Sequence, residues 1–418
     1  MKLSQHLGEQ LSNKIFGDKF KDSARKRPED FTRKRAMSFE ELILYMLTSL
    51  KCSTASSLRR FFAAIGASLC MASQQSFSEA RQKVKVQAFI ELFETTVAPM
   101  LEHGTATWHG YRVLAIDGSK ISLPTDKKLL AYYGALGKDK TAPTAQASIL
   151  YDVLNDTIVD ASIEPMTTDE RTLAIKHLNA YAKLAPNGRK LVIFDRGYPS
   201  LELIEILESM GFTYVMRVRS KFNNDIDAQT KADGYVWLKH GDRRIRVRVI
   251  KFMLDSGEEE VLITNITDKR LGKNAFKKLY FMRWPVEIKY DVVKNKLQLE
   301  NFNTRTVEGI QQDFYAAMLL SNFAAACAID VQDEIEEARK DKDNKYQYKV
   351  NINELIGVLK DRLVLALIQD SPEEQSARMQ HILDEIKRYV TPIKPNRSTP
   401  RNKNPRKCKH HHNRKVNC

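Results

Sequence analysis

Cysteine is scarce in this chain. Cys52, Cys70, Cys327, Cys408 and Cys418 are the five in 418 residues, too few and too scattered for a disulfide framework. Histidine is missing between His240 and His381, so a long stretch offers no imidazole for a zinc site. No apolar run approaches the roughly 20 residues needed to span a bilayer, which argues against a membrane partner. The N-terminus MKLSQHLGEQ lacks the apolar core of a secretory signal. No internal repeat is visible. Acid is absent from Thr391 to Cys418, a stretch with nine Lys or Arg and four Pro, and this basic tail is expected to be disordered. Its CKHHHNRKVNC end matches no common zinc spacing. Together these absences predict a soluble, cytoplasmic protein.

What is present completes that picture. Hydrophobic residues make up 43% of the chain, enough for a sizeable core, and the length suggests about two or three domains. The net charge of +15 calls for a polyanionic partner, with nucleic acid the first candidate. A second basic cluster, RKRPEDFTRKR at residues 25–35, has six cations against two acids.

Residues 38–103 read as all-helical. Ser38 with Glu41 fits a capping box, and Ser76 with Glu79 fits a second one that opens an amphipathic run to about Thr96. Arg81, Lys83 and Lys85 lie on that run, which suits either a helix-turn-helix-like DNA reader or a plain bundle. From His109 the pattern changes. YRVLAID, AQASILYDVL, TIVDASIEP, KLVIFD and FTYVMRVR are strand-like, with helices at about 169–184 and after Asp195. That order predicts a mixed five-stranded α/β sheet with flanking helices. GYVWLKH, RIRVRVIKFML and EVLITNI then alternate as strands, a β-rich insertion, before helices resume at about Asn274. The predicted division is a helical N-terminal domain (1–105), a catalytic domain in two parts (106–219 and 271–330) around the insertion (220–270), C-terminal helices (331–390) and the basic tail (391–418).

Two strand-like runs end in aspartate, Asp117 in AIDGS and Asp195 in FDRG. A carboxylate at the end of a buried strand needs compensation, and two on neighbouring strands repel unless a cation lies between them. Glycine follows both, which predicts tight turns open to a ligand. Oxygen ligands without nearby His or Cys favour Mg²⁺ or Mn²⁺. A third carboxylate would complete a two-metal cluster suited to phosphodiester chemistry. Glu287 is the candidate, with Asp291 as competitor. In YFMRWPVEIKYDVVKNK, Tyr280, Arg283, Glu287 and Lys294 fall within an arc of roughly 60° on an unbroken helix. Pro285 interrupts that arithmetic: either the helix kinks there or a new one starts. Arg217 and Arg219 close the fifth strand, as DNA contacts or as an exposed basic end.

At these residues the chain resembles the DDE transposases of bacterial insertion sequences, in the group with the Tyr-Arg-Glu-Lys signature. The likeness covers about residues 110–330 and includes LENFNTRT and GIQQDFYAAMLLSNF. It implies an RNase H-like catalytic fold plus the N-terminal all-helical domain. It implies that Asp117, Asp195 and Glu287 bind two Mg²⁺ ions, with Mn²⁺ able to substitute, for cleavage and strand transfer. It implies that Tyr280, Arg283 and Lys294 contact DNA phosphates, and that Trp237 stacks on a displaced base. Terminal inverted repeats and target DNA are the implied partners, bound by a homodimer in a synaptic complex in the bacterial nucleoid. The alternatives are a transposase-derived DNA-binding protein without catalysis, and a structure-selective nuclease of the same fold.

Overall fold

The computed structural model describes residues 1–394, except 34, 49–50, 68–70, 137–140, 186, 255–256 and 341–343. Cys70 and residues 395–418 of the basic tail, with their Cys/His run, lie outside the described residues. The chain forms two compact units. One comprises Met1–His103, Ser122–Pro143 and Val292–Cys418, and the other Gly104–Ile121 and Thr144–Asp291.

The first unit is mainly helical. Two helices precede the predicted ones, Leu3–Ile15 and Asp18–Ala24. Leu3, Leu7, Leu11 and Ile15 make the buried stripe of the first, the spacing expected of an amphipathic helix. Its exposed first amides are taken by Asp330, whose carboxylate accepts from the N–H groups of Leu3 at 2.8 Å and Ser4 at 2.7 Å. Ser38 and Glu41 form the predicted capping box on Phe39–Leu47. The second predicted box does not form. Ser73 caps Gln74–Gln82 instead, and the chain breaks at residues 83–85 before Val86–His103. Val84 is drawn into a β-bridge with Arg25 there, and Lys85 N–H donates to Ala24.

The helix Val307–Glu337 is 31 residues long and, contrary to the sequence expectation, is long and apolar enough to cross a membrane. Alanine and the polar Gln312, Ser321 and Asn322 break up its apolar run and hide that length. In the structure 78% of its most apolar window is buried. Asn322 is satisfied there by the Thr96 hydroxyl at 3.0 Å, so it serves as a core helix. Two short strands, Gln347–Val350 and Val390–Ile393, pair antiparallel.

The second unit is built on one sheet. Its strands are β1 (Tyr111–Ser122), β2 (Thr144–Asp152), β3 (Thr157–Pro165), β4 (Arg189–Phe194), β5 (Thr213–Val218), β6 (Asp233–His240), β7 (Arg243–Met253) and β8 (Glu259–Thr264). They run in the order β3-β2-β1-β4-β5-β8-β7-β6. β4 is parallel to β1 and to β5, while β2 with β3 and the pairs from β5 through β6 are antiparallel. The insertion strands β6–β8 therefore extend the core sheet to eight strands. They do so because β8 offers Val261–Thr264 to the open edge of β5, which would otherwise be unpaired. An N-terminal all-helical region thus precedes a mixed sheet flanked by helices, an RNase H-like core with a β-rich insertion.

Candidate functional site

Asp117 lies within β1, not at its end. β1 pairs with β4 from Tyr111 to Ala115 and runs on to Ser122, so Asp117 stands where the two strands part. Gly118 is accordingly no turn residue. A Cβ there would come within 2.6 Å of Gln146 Nε2 and 3.2 Å of Glu170 Oε1, so glycine makes room for the ends of these two side chains. Asp195 follows the end of β4, and its carbonyl accepts from Tyr198 N–H at 3.1 Å.

Pro285 starts a new helix. Lys273–Phe281 ends before the break and Pro285–Asp291 begins after it, as the missing proline N–H favours. The second helix is fixed by its own side chains. Lys289 pairs with Asp156 at 2.5 Å, and Tyr290 donates to the Asp117 carbonyl at 3.0 Å. The two-helix path brings three of the four signature residues, Tyr280, Arg283 and Glu287, together despite the break. Tyr280 donates to Asp195 Oδ1 at 3.1 Å. Arg283 Nη2 lies 2.6 Å from Glu287 Oε1 and its Nη1 3.7 Å from Asp117 Oδ2. Lys294 belongs to the helical unit, on a π-helical turn, Val292–Lys296, 3.7 Å from Glu300. Trp237 is 58% exposed on β6, the sheet edge, four strands from β4, or roughly 19 Å across the sheet.

The two aspartates are driven apart electrostatically. Burial pushes Asp117 up to about 6, against the pull of Arg283 and the Gly118 N–H, while the negative charges of Glu287 and Asp195 add to the rise. Burial acts on Asp195 too, but the Arg196 N–H, Arg283, the Tyr280 hydroxyl and Arg217 outweigh it and hold it below the usual range. Burial raises Glu260, opposed by Arg217 at 3.1 Å. Arg217 is thus an ion-pair partner beside Asp195, where its sequence context suggested a basic strand end. Glu170 was not legible either: it is bonded by Gln146 at 3.2 Å and approaches both Gly118 and Gly197. Its neighbour Arg171 donates to the Tyr198 carbonyl at 3.0 Å. The first turn of the helix Glu170–Leu184 therefore braces both aspartate segments.

Among the described residues, no group of three His, Cys, Asp or Glu is gathered closely enough to hold a metal ion. Arg283 explains the spacing, because its guanidinium reaches two of the three carboxylates. The donor set nonetheless fits a hard divalent cation: Asp117 senses the negative charges of both Glu287 and Asp195, and a cationic side chain stands in for positive charge among them.

Residues 108–323 match the family described as the transposase DDE domain, more than half of the chain. The comparison with curated proteins gives no match. Among solved structures the fold is similar to a piggyBac transposase, from a cryo-EM structure of its synaptic complex with hairpin DNA. That likeness has a TM-score of 0.50 at 11% identity and covers 94% of this chain and 87% of the other. With the RNase H-like core and its carboxylates already in place, the family match decides the matter: the chain belongs to the transposase DDE domain family.

Proposed function

We propose that the chain is a DNA transposase of the bacterial insertion-sequence group with the Tyr-Arg-Glu-Lys signature. It would cleave DNA at terminal inverted repeats and join the ends to target DNA. The observation that carries this reading is the convergence of Tyr280, Arg283 and Glu287 on Asp117 and Asp195. Asp117, Asp195 and Glu287 would hold two Mg²⁺ ions, or Mn²⁺ in their place, whose chemistry is to activate an attacking oxygen and stabilise a leaving one. The chain's own part is positional. Tyr280 and Arg196 hold Asp195 ionised, while Tyr290 and the brace at Glu170 and Arg171 fix the aspartate segments. Lys294 and Arg283 supply charge for DNA phosphates, and the basic N-terminal cluster at residues 25–35 adds affinity. A homodimeric synaptic complex is proposed with it; the piggyBac transposase of similar fold was captured in a synaptic complex with hairpin DNA. For Trp237 the proposed role is stacking on a displaced base, an exposed indole being suited to that.

The test incubates the purified chain with Mg²⁺, a linear DNA carrying the repeats that flank its gene, and a target plasmid. Joined products are expected. Cleavage without joining would favour a nuclease, and binding without cleavage a non-catalytic derivative.

Lys294→Ala is expected to weaken DNA binding several-fold and reduce the salt slope by about one. An unchanged slope in a titration of affinity against salt counts against a phosphate contact there. Gly118→Ala should cost on the order of tenfold in cleavage, because Gln146 is buried and cannot yield without displacing Glu170. Cleavage at the wild-type rate would remove the close approach from the account.

A further inference from the structure

Arg283 is an unusual buried arginine. Its side chain is only 11% exposed, yet its Nε is buried with no hydrogen-bond partner among the described residues. Arg248 in the same unit shows the contrast. Its Nε and Nη2 bind both oxygens of Asp233, and Nη1 and Nη2 bind the carbonyls of Asp268 and Leu271. A guanidinium offers five donors in a rigid fork, and a structural arginine uses them on both sides. Arg283 directs its terminal nitrogens at Glu287 and Asp117 and leaves the third position unpaired. It is held by charge more than by a fitted cage.

Its carboxylate oxygens are the ones a divalent cation would need. Mg²⁺ takes oxygen at about 2.0–2.1 Å and tolerates little distortion, so a cation bridging Glu287 Oε1 and Asp117 Oδ2 would need the place between them that the guanidinium now fills. Arg283 also sits in the break between the two helices, where the chain turns through Arg283 N–H to the Tyr280 carbonyl and Val286 N–H to the Arg283 carbonyl.

Resting on the reading above, we propose that Arg283 is the resident counter-cation of the Asp117–Glu287 pair and that it and a divalent metal exclude one another. A DNA phosphate that draws the guanidinium away thereby prepares the carboxylates for the metal. DNA and metal binding are then positively coupled through one side chain, and the coupling is reciprocal.

The test measures Mn²⁺ binding to the full chain from the electron paramagnetic resonance signal of free Mn²⁺, for wild type, Arg283→Gln, Arg283→Lys and Asp195→Asn. Arg283→Gln should bind Mn²⁺ about tenfold more tightly than wild type, a coupling of ordinary size. Arg283→Lys, which keeps the charge but loses the fork, should fall between and decides the matter if the glutamine variant does not fold. A short duplex DNA should tighten Mn²⁺ binding in wild type and leave Arg283→Gln nearly unchanged, with Asp195→Asn used to subtract Mn²⁺ held by DNA alone. Affinity in Arg283→Gln equal to or below wild type overturns the proposal, as does equal tightening by DNA in both. If Asp195→Asn weakens Mn²⁺ binding in those same experiments, only the exclusion has failed. If Asp195→Asn changes nothing in any background, the carboxylates do not hold the metal and the functional reading falls with the proposal.

Discussion

Glu287→Gln is expected to lower DNA cleavage by on the order of 10³-fold, a loss of several kcal/mol of transition-state stabilisation, while DNA binding is retained. The substitution is nearly isosteric. The amide oxygen can still accept from Arg283, which now lies 2.6 Å from Oε1, and the helix stays anchored by Lys289 and Tyr290. What disappears is one of three negative charges. Glu287 contributes to the rise of Asp117, so Asp117 should become easier to ionise in the variant. A structural role for Glu287 would show as a lower melting temperature together with lost cleavage. A role in the chemistry shows as lost cleavage at an unchanged melting temperature and unchanged DNA affinity. Cleavage within a few-fold of wild type would sink the assignment and leave Asp291 as the carboxylate to test next.

The fold was legible where the signal was local and periodic. Strand-like runs, the helix capped by Asp169 and the Ser38 capping box all declare themselves within a few residues. The sheet of the insertion was legible as strands but not as a continuation of the core, because edge pairing between β5 and β8 joins residues about 45 apart in the chain. The first helix carries a plain apolar stripe, yet its cap comes from Asp330, which no local rule could nominate. The candidate site divides in the same way. Asp195 is marked by its strand end. Asp117 was marked by a glycine whose reason is different from the one its spacing suggested: contact with Gln146 and Glu170 instead of a turn. The arc that aligned Tyr280, Arg283, Glu287 and Lys294 assumed one helix. Two helices and a π-helical turn replace it, and the first three still meet because Tyr280 and Arg283 are drawn to carboxylates from other elements. Arg217, Glu260 and Glu170 carry no pattern of their own, since their partners lie on other strands.

Arg81 shows how far the same basic residue type can depart from its sequence context, and Arg81→Ala is expected to destabilise the chain by about 3–5 kcal/mol. Its position on a polar, basic helix suited a DNA reader. In the structure its side chain is 7% exposed. It donates from Nε to Gln312 at 2.8 Å, and from Nη2 to the Gly309 carbonyl at 2.5 Å and Asp313 Oδ1 at 2.8 Å. Gln312 completes the clasp by donating to the Val84 carbonyl at 2.9 Å. The group therefore ties helix Gln74–Gln82 to the first turns of Val307–Glu337. Truncation leaves the Asp313 carboxylate in a largely buried place without its cation, and its Oδ2 already lacks a hydrogen bond among the described residues. An unpaired buried charge costs more than the pair contributes. The double variant Arg81→Ala with Asp313→Asn should therefore recover part of the loss, a coupling that a thermodynamic cycle isolates. Chemical denaturation checks it. A clasp predicts a lower midpoint in the single variant and partial recovery in the double. A DNA reader predicts an unchanged midpoint with reduced affinity, and that result would return Arg81 to the binding surface.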